Sequence, residues 1–131
     1  MKELSIDAKA ENLGEVLEFV EGELEDAPMK LQTQVAIAVE EVFVNIASYA
    51  YSPEVGEAII RIAVDDEIVI EFEDKGIPYN PLEKTDPDTT RSAEDREIGG
   101  LGIFMVKKTM DTVEYRREGD KNILTIRKAN K

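Results

Sequence analysis

The sequence predicts an α/β sandwich of the α+β type, in two layers: a mixed, mostly antiparallel sheet with helices on one face. Three observations predict it. Runs rich in Ile and Val come in adjacent pairs separated by short polar turns, the pattern of antiparallel hairpins. Two other segments carry apolar residues at helical spacing along one stripe, so each buries a single face. The elements follow in the order β-α-α-β-β-α-β-β, which stacks the helices on one side of a shared sheet. With 131 residues, the chain is expected to form one domain over 1–131, long enough for a true core.

Each element has a local reason. Lys2 to Ala8 alternates, with Leu4 and Ile6 on one face, and is expected as the first strand. Asn12 is a candidate N-cap for a helix to about Glu25, whose stripe is Leu13, Val16, Leu17, Val20 and Leu24. Asp26-Ala27-Pro28 makes a turn, with Pro near the start of the next helix. That helix is expected from about Met29 to Ala50, burying Leu31, Val35, Ala38, Val39, Val42 and Ile46. Ala58 to Val64 and Ile68 to Phe72 flank Asp65-Asp66-Glu67 as a hairpin. Lys75 to Ile98 has little periodicity, many charges and the prolines Pro78, Pro81 and Pro87. A loop of that length inside a compact domain is usually functional. Gly102 to Met110 is a short helix with Ile103, Val106 and Met110 inward. Thr112 to Arg117 and Asn122 to Lys128 form a last hairpin around Gly119-Asp120.

Composition narrows the function. The hydrophobic share is 42% and the charged share 34%, which suits a globular protein. No apolar run approaches the length of a membrane span. The amino terminus lacks the apolar stretch of a signal peptide. Cys is absent, which excludes thiol chemistry, and His is absent, which excludes imidazole as base, metal ligand or phosphoacceptor. These features are those expected of a cytoplasmic protein. A formal net charge of -13 repels phosphodiester backbones and argues against direct nucleic-acid binding. The plain reading of that charge is solubility. An anionic nucleotide would need Mg²⁺ and local backbone dipoles against this field.

Three segments carry the chemistry. In Glu41-Val42-Phe43-Val44-Asn45, an acid and an amide lie about one helical turn apart and share a face. Asn is unfavourable inside a helix, because its amide competes for the backbone. Its oxygen is a good hard ligand for Mg²⁺. Without His, a carboxylate is the natural general base. Glu40 points about 100° away and is read as surface. Asp74-Lys75-Gly76-Ile77-Pro78 places an acid at a strand end, where it can accept from the exocyclic amine of adenine. Gly76 would permit close backbone approach to a ring, or a positive φ. Taken alone, this is also a common turn. Gly99-Gly100-Leu101-Gly102 opens a helix, a usual way to present N–H groups to phosphates. Taken alone, it is also a flexible turn. It is neither a Walker A loop nor a dinucleotide fingerprint.

In this order and spacing, the three segments resemble the N, G1 and G2 boxes of the GHKL ATPase/kinase superfamily, the Bergerat fold. The similarity is greatest to its small bacterial branch, the anti-sigma factor serine/threonine kinases. The resemblance covers nearly the whole chain and implies an ATP- and Mg²⁺-dependent protein serine/threonine kinase in a partner-switching circuit. It implies Glu41 as general base, Asn45 as Mg²⁺ ligand, and Asp74 and Gly76 as the adenine readers. Gly99, Gly100, Leu101 and Gly102 would seat the phosphates, with residues 75–98 as a nucleotide lid. Thr125 on the last strand would sit behind Asp74 and help hold the base through water. Arg91 and Arg96 fall in the lid, as solvated charges or γ-phosphate contacts. The partners implied are a sigma factor or an anti-anti-sigma-type antagonist, and a homodimer is possible. Pro78 departs from the family, whose box often has a glycine there. The other reading is a non-catalytic ATP-sensing module that binds a protein partner.

Overall fold

A computed structural model of the chain describes residues 1–49, 56–78, 80 and 100–131. Its elements are β1 (Lys2–Asp7), a 3-10 turn (Ala10–Asn12), α1 (Leu13–Glu23), α2 (Met29–Tyr49), β2 (Glu57–Val64), β3 (Glu67–Asp74), α3 (Gly100–Thr109), β4 (Thr112–Glu118) and β5 (Lys121–Ala129). The strands form a five-stranded sheet in the order β1-β2-β3-β5-β4. All four pairings are antiparallel, the limiting case of the mostly antiparallel sheet the sequence predicts.

The period-2 alternation decides which residues face the helices. Ile60, Ile62, Ile68, Ile70, Phe72, Leu124 and Ile126 lie on that face and are buried. Against them pack Val16 and Val20 of α1, Leu24 just past its end, and Val35, Val39, Val42 and Phe43 of α2. Each such side chain contributes on the order of 1.5–3 kcal/mol of burial free energy. The whole predicted stripe of α2 is buried, and Phe43 joins it. Helix α2 packs against α1 and α3 and reaches β3, so it is the element that the others share.

The opposite sheet face is held by ion pairs across strands. Arg61 bonds Glu3 and Glu73 at 3.1 Å each, and Lys121 approaches Glu73 at 3.9 Å. Glu73 is buried, and these cations offset the cost of desolvating it.

Asn12 occupies the expected N-cap position of α1, but its side chain makes no capping hydrogen bond. Its backbone already belongs to the 3-10 turn, and its Nδ2 donates back to the Asp7 carbonyl at 3.0 Å. Gly119 takes a positive φ of 60° in the two-residue turn between β4 and β5, as the predicted hairpin requires.

Candidate functional site

One row across the sheet organises the site. Ala58, Asp74, Asn122 and Arg117 stand side by side on β2, β3, β5 and β4. The row lies on the helix-bearing face, because Asp74 follows Ile70 and Phe72 in the alternation. Asp74 is buried, at 6% exposure. Its Oδ1 accepts two hydrogen bonds, from the Gly76 N–H and from Asn122 Nδ2, both at 2.9 Å. Among the described residues no hydrogen bond falls on Oδ2. A further donor to this carboxylate would therefore bond at that oxygen. Gly76 is buried without a positive φ, so of its two predicted uses only the close backbone approach remains.

Thr125 does not join Asp74. It pairs with Glu71, one residue out of phase, and so projects from the opposite face. The residue beside Asp74 is Asn122, which sequence reasoning missed. Its Nδ2 also donates to the Ile77 carbonyl at 2.8 Å. Its Oδ1 accepts from the Tyr115 hydroxyl at 2.6 Å and from Arg117 Nη1 at 3.1 Å. The same Nη1 donates to the Gly76 carbonyl at 2.9 Å. The amide orientation follows from chemistry: a carboxylate and a carbonyl only accept, and a guanidinium only donates. No signal in the sequence marks Asn122, because β3 and β5 are not neighbours along the chain.

Helix α2 supplies the second part. Asn45 is buried at 6% exposure, and its Nδ2 has no hydrogen-bond partner among the described residues. An orphaned buried amide costs on the order of 1–3 kcal/mol, so its retention fits a group that binds from outside. The unpaired Nδ2 can only donate, which suits an acceptor such as a phosphate oxygen, while the amide oxygen is the atom that would ligate Mg²⁺, an ion that takes few protein oxygens and completes its shell with phosphates and water. Glu41, one turn earlier, is half-buried. Burial raises its pKa above the ordinary carboxylate range, and the Glu40 charge raises it further. Glu40 is exposed as predicted, yet its charge acts on Glu41.

Helix α3 supplies the third part. It begins at Gly100, so Gly100, Leu101 and Gly102 form its first turn rather than a loop before it. No acidic residue occupies that turn, while Lys107 and Lys108 sit in the last one. The helix dipole is thus left positive at the glycine end. Gly99, Arg91 and Arg96 lie outside the described residues, as does most of the predicted lid.

An antiparallel sheet covered on one face by helices, with an acid–amide pair on the shared helix and an acid at the end of β3, defines a histidine kinase-like ATPase domain. The chain belongs to the histidine kinase-like ATPase domain family, which it matches over residues 6–128. It is 27% identical over 100 residues to the serine/threonine-protein kinase BtrW of Bordetella bronchiseptica, covering 74% of this chain and 70% of that one. It is 30% identical over 105 residues to the anti-sigma F factor of Clostridium perfringens, covering 79% and 75%. With the serine-protein kinase RsbW of Bacillus cereus it shares 29% over 93 residues, covering 67% of this chain and 58% of the kinase. The match thus spans less than two thirds of the RsbW kinase. These relatives bear out the resemblance to the anti-sigma kinase branch. Among solved structures, the histidine kinase domain of the blue-light activated kinase EL346 of Erythrobacter litoralis shares the fold at TM-score 0.58. Its identity is 18%, with coverage of 92% of this chain and 60% of that one. No helix among the described residues is long and apolar enough to cross a membrane.

Proposed function

We propose that this chain is one ATP-binding domain that acts as a Mg²⁺-dependent protein serine/threonine kinase in a partner-switching circuit. It would hold a sigma factor or an anti-anti-sigma-type antagonist and phosphorylate a Ser or Thr of the latter. The observation that carries the reading is the pair on α2: a buried Asn45 with an unpaired amide, one turn from a Glu41 whose proton affinity is raised. The names of the relatives support it.

In this reading Glu41 accepts the proton of the incoming hydroxyl. Its raised pKa brings it closer to neutral pH, where a general base works best. Asn45 would hold Mg²⁺, which when bound neutralises charge on the triphosphate. Asp74 accepts from the adenine amine through its outward oxygen. Gly76 leaves room for the ring, and the Gly99–Gly102 segment presents N–H groups to the phosphates. Phosphoryl transfer needs little more from a protein than this positioning and charge neutralisation.

The test is a pull-down from the native cell with and without ATP, followed by transfer from γ-labelled ATP to what binds. Label on a Ser or Thr of the partner is the expected result. ATP-dependent binding with no label would replace the kinase by an ATP-gated binding module.

A further inference from the structure

The hydrogen bonds around Asp74 point beyond that residue to the β4–β5 hairpin. Asn122 is 5% exposed and uses its full capacity: two donors and two acceptor positions, all engaged. It holds Asp74 Oδ1 from one side while the Gly76 N–H holds it from the other. The carboxylate cannot turn about its last torsion without breaking both bonds. Oδ2 is the oxygen to which neither bond goes. The same asparagine and Arg117 tie down two successive carbonyls, those of Ile77 and Gly76. The backbone that a base would approach is thus pinned at both its oxygens. Arg117 itself is fixed at its base, where Nε donates to the Gly119 carbonyl at 3.2 Å.

We propose that Asn122 is the positioning residue for nucleobase selection, and that Arg117 is the clamp that holds the Gly76–Ile77 backbone in register with it. Together they present one fixed acceptor, Asp74 Oδ2, to a purine that carries an exocyclic amine. A purine with a carbonyl at that position would meet an acceptor with an acceptor. A carboxylate free to turn would discriminate less, since it could swing away or recruit water. This rests on the ATP-binding reading and adds to it the residues that set base choice.

The experiment compares calorimetric affinities for ATP and for inosine triphosphate, which has a carbonyl in place of the adenine amine. It uses wild-type protein, Asn122→Asp and Arg117→Met. Asn122→Asp keeps the shape but removes both donors. Arg117 is exposed, so its replacement leaves the fold intact even if Asn122→Asp does not fold. The expected result is a wild-type preference for ATP. Each variant that folds loses about tenfold in ATP affinity, with inosine triphosphate changed by less than about threefold. A purely structural role would weaken both nucleotides alike, and an unchanged ATP preference in Arg117→Met overturns the proposal. Wild-type protein that binds neither nucleotide would overturn the ATP reading and the selectivity with it. The clamp is then judged in the free protein by hydrogen exchange at the Gly76 amide. Exchange about tenfold faster in Arg117→Met supports the clamp, and equal exchange refutes it.

Discussion

Asn45 and Asn122 are buried to nearly the same degree, 6% and 5% exposed, and are used in opposite ways. Asn122 is saturated by Asp74, Ile77, Tyr115 and Arg117. Asn45 leaves its Nδ2 with no partner among the described residues. One end of the candidate site is therefore finished by the protein itself, and the other keeps an unsatisfied buried donor. In the proposed reading the Asp74 end would recognise the base and the α2 end would carry the chemistry. A fixed acceptor can read a base, whereas a metal and a proton need groups whose bonds change during a turnover.

The largest effect that tests this contrast falls on α2. Glu41→Ala should lower transfer to the partner by roughly 10²–10⁴-fold and keep most of the ATP affinity, because a general base acts only in the chemical step. Phosphate transfer at the wild-type rate would remove Glu41 from that role. Glu40→Ala should preserve transfer but move the acid limb of its pH profile lower, since Glu40 helps to raise the Glu41 pKa.

Next comes the stability of the saturated asparagine. Asn122→Ala should destabilise the free protein by about 2–3 kcal/mol in denaturant unfolding, as it leaves the Ile77 carbonyl and the Tyr115 hydroxyl without this partner and strips Asp74 of a donor. A loss under about 1 kcal/mol would show that the network is dispensable. Asn45→Ala should do the reverse. The free protein should not be destabilised by more than about 1 kcal/mol, because the packing lost is offset by removing an unsatisfied buried amide. The rise in Tm expected of wild type with ATP and Mg²⁺ should vanish in this variant. If Asn45→Ala instead unfolds the free protein, the two asparagines are not opposites.

The smallest effect is a pH dependence. The Glu41 pKa is raised in the folded state, so its ionisation costs stability at neutral pH. Glu41→Gln should therefore be more stable than wild type at neutral pH. The gap should close as pH falls through the raised value into the ordinary carboxylate range. A gap that widens toward acid would have the wrong sign.

Much of this molecule was legible in its sequence wherever periodicity carried the signal. The stripe from Leu31 to Ile46 repeats at 3.6 residues and is buried throughout. The hairpins β2–β3 and β4–β5 join strands that are adjacent along the chain, so their pairing follows from turn residues and alternation. Glu41, Asn45 and Asp74 stand out in the sequence by the order and spacing of their segments, and Asn45 also because an amide is unfavourable inside a helix. The β3–β5 register was not legible, since it joins strands separated by α3 and β4. That gap produced the error at Thr125, where a shift in phase placed a residue on the wrong face. It also hid Asn122, a residue whose whole meaning lies in its cross-strand neighbours. Neither the orphaned amide of Asn45 nor the pull of Glu40 on Glu41 could be read from spacing, since both depend on burial.

The measurement that bears most directly on the account is calorimetry of ATP with and without Mg²⁺, on wild type and Asp74→Asn. The account predicts Mg²⁺-dependent binding by wild type. It predicts a loss of more than about 1 kcal/mol in Asp74→Asn, whose amide can turn a donor toward the adenine amine. No binding of ATP by wild-type protein at millimolar nucleotide with Mg²⁺ present would contradict it.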